Sequence, residues 1–386
     1  MTTIRRRAVS LLFMLVSAAL TTPPGSAKIL YHVQSIAPSP DGSGEARAVN
    51  SGGDVVGEFE DAAFIWHAGQ FISFPAIRRS LYGLVYKSIA TTINREGLAA
   101  GRNGSDTPCL MSGLKLATAA TFHAGAKLRL LNSPDNAQCG FEADGINDRG
   151  TIVGVSGYRG FVRYSNGREL VIQPLSRRSD NNGTRATAIN DEGHVIGGTT
   201  VDVAHVPLVE VGEQSWPGGE MRPIYGPDQN AYVIHAFLLT IIGMRQRMLD
   251  LGAIKGYPDT LATALNNNLT VVGFSGDRSG PKWTRVSGSS HAWVWQYGHM
   301  ADISAGHGNS FAYGVNDADT IVGCSGDDAV RWINKRVQNL NALIDPHSGW
   351  HLTCARGINR NGVIVGSGSF RGSKQLPFRL VPYERH

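Results

Sequence analysis

The stretch ATAINDEGHVIG, Ala186 to Gly197, decides the fold because the chain repeats its plan six more times. The other copies are ARAVNSGGDVVG (Ala46 to Gly57), ATTINREGLAAG (Ala90 to Gly101), ADGINDRGTIVG (Ala143 to Gly154), ATALNNNLTVVG (Ala262 to Gly273), AYGVNDADTIVG (Ala312 to Gly323) and ARGINRNGVIVG (Ala355 to Gly366). Each is an alanine-led apolar strand ending in Asn, a turn, and a second apolar strand ending in Gly. Such self-similarity marks a repeat architecture. The Asn-x-x-Gly step reads as a hairpin turn, in which Asn bonds its own backbone and tolerates unusual dihedrals while Gly supplies a positive φ. A calcium-loop reading fails because the residue after each Asn varies: Ser51, Arg95, Asp148, Asp191, Asn267, Asp317 and Arg360. A metal loop needs its oxygens in every copy that binds.

The anchor residues Asn50, Asn94, Asn147, Asn190, Asn266, Asn316 and Asn359 lie 44, 53, 43, 76, 50 and 43 residues apart. The shortest spacing is the length of a four-stranded propeller blade. After each Gly, a third strand is marked by Ala and an aromatic, as in AAFIWHAGQ (Ala62 to Gln70) and HAWVWQYGH (His291 to His299). A fourth strand follows a short turn, as in FISF (Phe71 to Phe74), ELVIQPL (Glu169 to Leu175) and RVQNLNALI (Arg336 to Ile344). The last repeat ends with its third strand, PFRLVPYE (Pro377 to Glu384), whereas KILYHVQSI (Lys28 to Ile36) is a lone strand before the first repeat. If that strand completes the last blade, the ring closes with no unpaired edge. The fold class is therefore all-β: a seven-bladed β-propeller of four-stranded antiparallel blades, closed by the N-terminal strand.

Residues 1–27 read as a signal peptide, with Arg5, Arg6 and Arg7 before an apolar run from Ala8 to Leu20 and a Gly25-Ser26-Ala27 cleavage site. Residues 28–386 are then one propeller domain, secreted, periplasmic or on the cell surface, with no membrane span after cleavage. The chain carries 36 Lys plus Arg and 31 Asp plus Glu, and three of those cations sit in the leader, which leaves +2. That balance gives no reason to expect a nucleic-acid partner. Four cysteines form two pairs at equal intervals of 30 residues, Cys109 with Cys139 and Cys324 with Cys354. Each pair falls where a B-to-C loop meets the connection into the next blade, so two disulfides are expected in an exported chain.

The A-x-x-I-N-x-x-G-x-I-V-G core, followed by His235-Ala236-Phe237 and His291-Ala292-Trp293, resembles the HAF-repeat family of bacterial extracellular proteins, over Ala46 to about Tyr383. The resemblance implies a secreted or surface protein with a propeller-like fold. It carries no established activity and no catalytic residues. Since several blades lack the histidine, its expected role is packing or hydrogen bonding within a blade.

Function is sought where the repeat breaks. Long insertions after the second strand of blades 4 and 5 hold Trp216, Tyr225, Arg278 and Trp283, aromatics and cations suited to a protein or carbohydrate ligand on the loop-rich face. Loops that merely cover apolar surface are the bland alternative. The second residue of each first strand also varies: Arg47, Thr91, Asp144, Thr187, Thr263, Tyr313 and Arg356. Arg47, Asp144, Tyr313 and Arg356 are candidates for the mouth of the central channel, where two arginines could bind a carboxylate and a Tyr or Asp could move a proton. Solubilising or interblade roles are the alternative. Asp345, His347 and His351 form a weak chelating pattern, better read as an ordinary polar loop. The expectation is a monomeric, non-enzymatic binding module with no cofactor or metal; the runner-up is a lyase or hydrolase acting on acidic polysaccharide, and the third reading is a structural envelope protein.

Overall fold

The computed structural model describes residues 30–383 apart from 78–79, 82–83, 106–116, 134–139, 177–182, 203–207, 216–220, 228–231, 244, 277–288 and 305–307. The leader, Cys109, Cys139, Trp216, Arg278 and Trp283 lie outside the described residues. Seven four-stranded antiparallel sheets build the ring, with two two-stranded hairpins beside them, and in six of the seven the strands A, B, C and D neighbour one another in chain order from the inside outwards. The A strands are Gly44–Val49, Lys87–Ile93, Phe141–Ile146, Thr184–Ile189, Asp259–Leu265, Ser310–Val315 and Trp350–Ile358. Blade 7 takes its D strand from the other end of the chain. Tyr31–Ser35 pairs with Leu376–Pro382 in a register running from Tyr31 opposite Pro382 to Ser35 opposite Phe378. Arg331 of blade 6 fixes this closing strand, its Nη1 donating to the buried Tyr31 hydroxyl at 2.7 Å.

The core lies between successive blades. Val322, Ala329 and Leu340 of blade 6 pack on Leu352, Ala355 and Phe378 of blade 7, and the other neighbours repeat the pattern. The three invariant letters of the repeat each have a separate cause. The leading alanines, Ala46 through Ala355, are 0–1% exposed, so no larger side chain fits between the blades. The residue after each alanine is a β-bulge in all seven A strands. Across from the bulge, a Cβ added to the repeat's last glycine, which lies inside strand B (Gly57, Gly101, Gly154, Gly197, Gly273, Gly323 or Gly366), would stand 1.8–2.0 Å from a strand A carbonyl oxygen. That glycine is set by space, not by torsion.

The anchor asparagines close a ring of their own. Each Nδ2 donates to the backbone carbonyl of the next blade's anchor at 2.8–3.3 Å, and Asn359 returns to Asn50. Each Oδ1 accepts from the backbone N–H four residues on, at 2.8–3.0 Å, and the side chains are only 4–7% exposed. None of the seven has positive φ. The third residue after the anchor does, namely Gly53, Gly97, Gly150, Gly193 and Gly362, with Leu269 (φ 62°) and Asp319 (φ 57°) standing in for glycine. The Asp and Asn residues after the anchors form a second, partial ring: Asp148, Asp191, Asn267 and Asp317 each accept the backbone N–H of the equivalent residue in the preceding blade, at 2.7–3.1 Å. These oxygens cap neighbouring backbone in the way a metal loop would not.

Two local features depart from expectation. The insertion of blade 4 contains a hairpin, Leu208–Ser215 paired with Met221–Pro227, instead of plain loop. The D strand of blade 6 stops at Asn339, whose side chain accepts from Asn341 N–H at 2.8 Å and starts a 3₁₀ turn, Leu340–Leu343, that buries Leu340.

Candidate binding site in the central channel

The bulge decides what the channel contains. By adding a residue to strand A it re-aims one side chain per blade toward the axis, and Arg47, Thr91, Asp144, Thr187, Thr263, Tyr313 and Arg356 all line a cavity of about 1260 Å³. The cavity runs from the asparagine ring at the A–B turns to Arg102 and Tyr158 at the face where B–C and D–A connections emerge. Tyr158 is 71% exposed there.

Two of the bulge threonines serve the ring itself, as Thr187 and Thr263 donate to Ala262 O and Ala312 O of the next blade, both at 2.7 Å. The charged members divide into two networks. Across blades 7 and 1, Arg47 Nη2 meets Glu45 Oε1 at 2.8 Å and Glu58 Oε1 at 3.1 Å, while Arg356 Nη2 and Nε meet Glu45 Oε2 at 3.2 Å. Arg356 also lies 4.1 Å over the Tyr313 ring. Burial pulls the Arg356 guanidinium down, but Glu45 and Tyr313 outweigh it and hold it above its ordinary value. Across blades 2 to 4, Arg185 Nη2 meets Asp144 Oδ1 at 2.7 Å and Glu142 Oε2 at 2.9 Å, and Arg102 stands 3.7 Å from Glu142. Burial raises the Asp144 carboxyl above the ordinary range, Arg185 opposing the rise and Glu142 adding to it. The same two carboxylates overcome burial at Arg185 and raise its value, so it stays charged.

Blades 5 and 6 give the channel a different wall. Phe274 and Leu261 are cross-strand partners, and Phe311 and Tyr313 flank the buried Ala312. Phe311 stacks on Tyr313 with centroids 5.9 Å apart and planes 11° apart, and Phe274 meets Phe311 edge-on at 5.1 Å. Cys324 and Cys354 are disulfide-bonded, as their spacing predicts, but within the inner strands of blades 6 and 7 and not in loops.

The four proposed mouth residues thus share one cavity but fall in separate networks, Arg47, Arg356 and Tyr313 in one and Asp144 in the other. Tyr225 lies on the second strand of the blade 4 hairpin, opposite Glu210. His235 and His291 bond strand D carboxylates within their own blades, Asp250 at 2.9 Å and Asp302 at 2.7 Å. Among the described residues no group of three or more His, Cys, Asp or Glu is placed to hold a metal ion, and His351 is bonded to Asp328 at 3.0 Å. Sequence reasoning missed Glu45, Glu58, Glu142, Arg102, Arg185 and Phe274. Their signal was available: they immediately precede the repeat alanine or follow the repeat glycine, and those positions vary as the bulge position does.

Neither a family model nor a curated protein sequence matches the chain. Its architecture is similar to that of a catalytically inactive virginiamycin B lyase from Staphylococcus aureus solved with quinupristin, with TM-score 0.50 and 10% identity over 91% of this chain and 99% of that one. A streptogramin B lyase structure gives 0.47 at 11% identity, covering 92% and 99% of the two chains. The extracellular domain of a two component system from B. thetaiotaomicron gives 0.49 at 9% identity, covering 92% of this chain and 40% of that one. At these identities the likeness is one of fold: the chain is a seven-bladed β-propeller.

Proposed function

We propose that the protein is an exported, non-enzymatic propeller that binds carbohydrate at the loop-face half of its channel. One observation carries the reading: an aromatic wall, Tyr313 and Phe274, shares a cavity of about 1260 Å³ with charged groups already paired to one another. A sugar offers an apolar ring face to the first and hydroxyls to the second. The disulfide suits an oxidising compartment, and the resemblance to HAF repeats supports the same location. The insertions of blades 4 and 5, with Trp216, Tyr225, Arg278 and Trp283, would extend the contact surface. Calorimetric titration with neutral oligosaccharides tests this: the wild type is expected to bind, and Tyr313→Ala to bind about tenfold more weakly, the worth of one aromatic stacking contact. Silence across a neutral and acidic glycan panel would end the carbohydrate reading.

The second reading, an enzyme acting on acidic polysaccharide, draws on Asp144, whose raised carboxyl suits a proton donor. It requires a rise in absorbance from unsaturated uronate product, or new reducing ends, on incubation with uronate polymers. Burial of Asp144 against Arg185 and the self-paired state of Arg47 and Arg356 weigh toward the binding module.

A further inference from the structure

We infer that Glu45 is a built-in occupant of an arginine clamp, and that it sets the channel to accept uncharged ligands and to reject carboxylates. This rests on the channel being the binding site. Arg47 and Arg356 come from blades 1 and 7 and converge on one carboxylate: Arg356 Nε donates to Oε2 at 3.2 Å, while Arg47 Nη2 stands 2.8 Å from Oε1 as an ion pair and directs its hydrogen bond to Glu58 Oε1. Two guanidiniums flanking the two oxygens of a single carboxylate is the arrangement of charge by which proteins hold an acidic ligand. Here the acid belongs to the protein. Its side chain is 13% exposed, against 31% and 28% for the arginines, so the clamp is filled from within the wall.

The charges across the channel pair in the same way. Arg102 and Arg185 are matched by Glu142 and Asp144, as Arg47 and Arg356 are by Glu45 and Glu58, which reach those two arginines from an adjoining pocket, so these four arginines meet four acids. An incoming carboxylate would have to displace a tethered one, which competes at a high effective concentration. It would also leave Glu45 nearly buried, unpaired and beside a like charge. A neutral hydroxyl faces neither obstacle: it can accept from a guanidinium edge or donate to a carboxylate without breaking a pair.

The experiment compares a neutral hexose trisaccharide, trigalacturonate and glucuronate on wild type, Glu45→Gln and Glu58→Gln. Wild type is expected to bind trigalacturonate at least tenfold more weakly than the neutral sugar; equal or tighter binding of the acid overturns the proposal without needing any variant. Glu45→Gln keeps the side-chain shape but removes the carboxylate charge that neutralises the clamp, and a neutral amide is displaced more readily than a carboxylate, so glucuronate affinity should rise about tenfold or more and fall again with added salt. Glu58→Gln changes net charge equally but leaves Glu45 in the clamp. A gain in Glu58→Gln as large as in Glu45→Gln would show bulk charge at work and reject the occupant. If wild type binds no sugar at all yet Glu45→Gln captures glucuronate, the carbohydrate reading fails and the clamp stands.

Discussion

At the residue scale, the repeat is short because each of its fixed letters meets a demand that one side chain can satisfy. Asn266 donates to Asn316 O at 2.9 Å and accepts from Thr270 N–H at 2.8 Å, with 4% exposure. Asn266→Ala strips partners from buried backbone on two blades, and a loss of about 3 kcal/mol in urea unfolding is expected. The two glycines of one copy should part company. Gly193→Ala meets only its φ of 90°, with nothing within 4 Å of the new methyl, and should cost about 1–2 kcal/mol. Gly197→Ala puts that methyl 1.8 Å from Arg185 O and is expected to abolish soluble expression; a folded variant with a near-native melting point would refute the close-approach account. The presence of Ala, Asn and Gly was legible in the sequence because it recurs. The variable position that holds Glu45 was legible too, but its pairing was not, since its partner Arg356 lies 311 residues away.

At the element scale, four-stranded blades followed from strand spacing, while the additional hairpin of blade 4 did not, because it interrupts the period and has no second copy to reveal it. The bulges were likewise hidden: a one-residue insertion present in every repeat leaves the period unchanged. Neighbouring blades are joined by hydroxyls, with Ser88, Thr184, Thr260 and Ser310 accepting the strand C N–H groups of Ala63, Gly160, Ala236 and Ala292 at 2.6–2.9 Å. Blades 6 and 7 have a covalent link too. Replacing Cys324 and Cys354 together by Ser opens a span of 30 residues and should lower stability by about 3–4 kcal/mol in chemical denaturation. Within blades 4 and 5, burial acts to raise the carboxyls of Asp250 and Asp302, but bonds from His235 and Gly252 N–H, and from Ser304 and His291, bring both below the ordinary carboxylate value. Their stabilisation is therefore full above about pH 4 and drains away as acidification passes through the depressed range. Thermal melts of Asp250→Asn with Asp302→Asn should show a shallower decline from pH 5 to pH 3 than the wild type; parallel curves would show that these pairs contribute nothing.

At the scale of the whole molecule, stability depends on meeting the far end of the chain. A chain lacking residues 28–36 leaves Leu376–Pro382, with its buried Leu376, Pro377, Phe378 and Leu380, as a bare edge, and it is expected to form larger species in light scattering than the full chain does. A monodisperse truncated protein with an unchanged melt would deny the closing strand its role. The place of the break in the covalent ring also matters. Tyr383 N–H donates to Leu30 O at 3.0 Å, so the two ends face each other just where the other blades turn from strand C to strand D. A short turn between those residues would supply the missing hairpin, and the asparagine ring, which passes from blade to blade through side chains, would not register the change. The order in which the blades are translated is then a matter of history and not of architecture: circular permutants opened at another C–D turn, such as Tyr297–Gly298, should rebuild the same closed hoop from a different first blade.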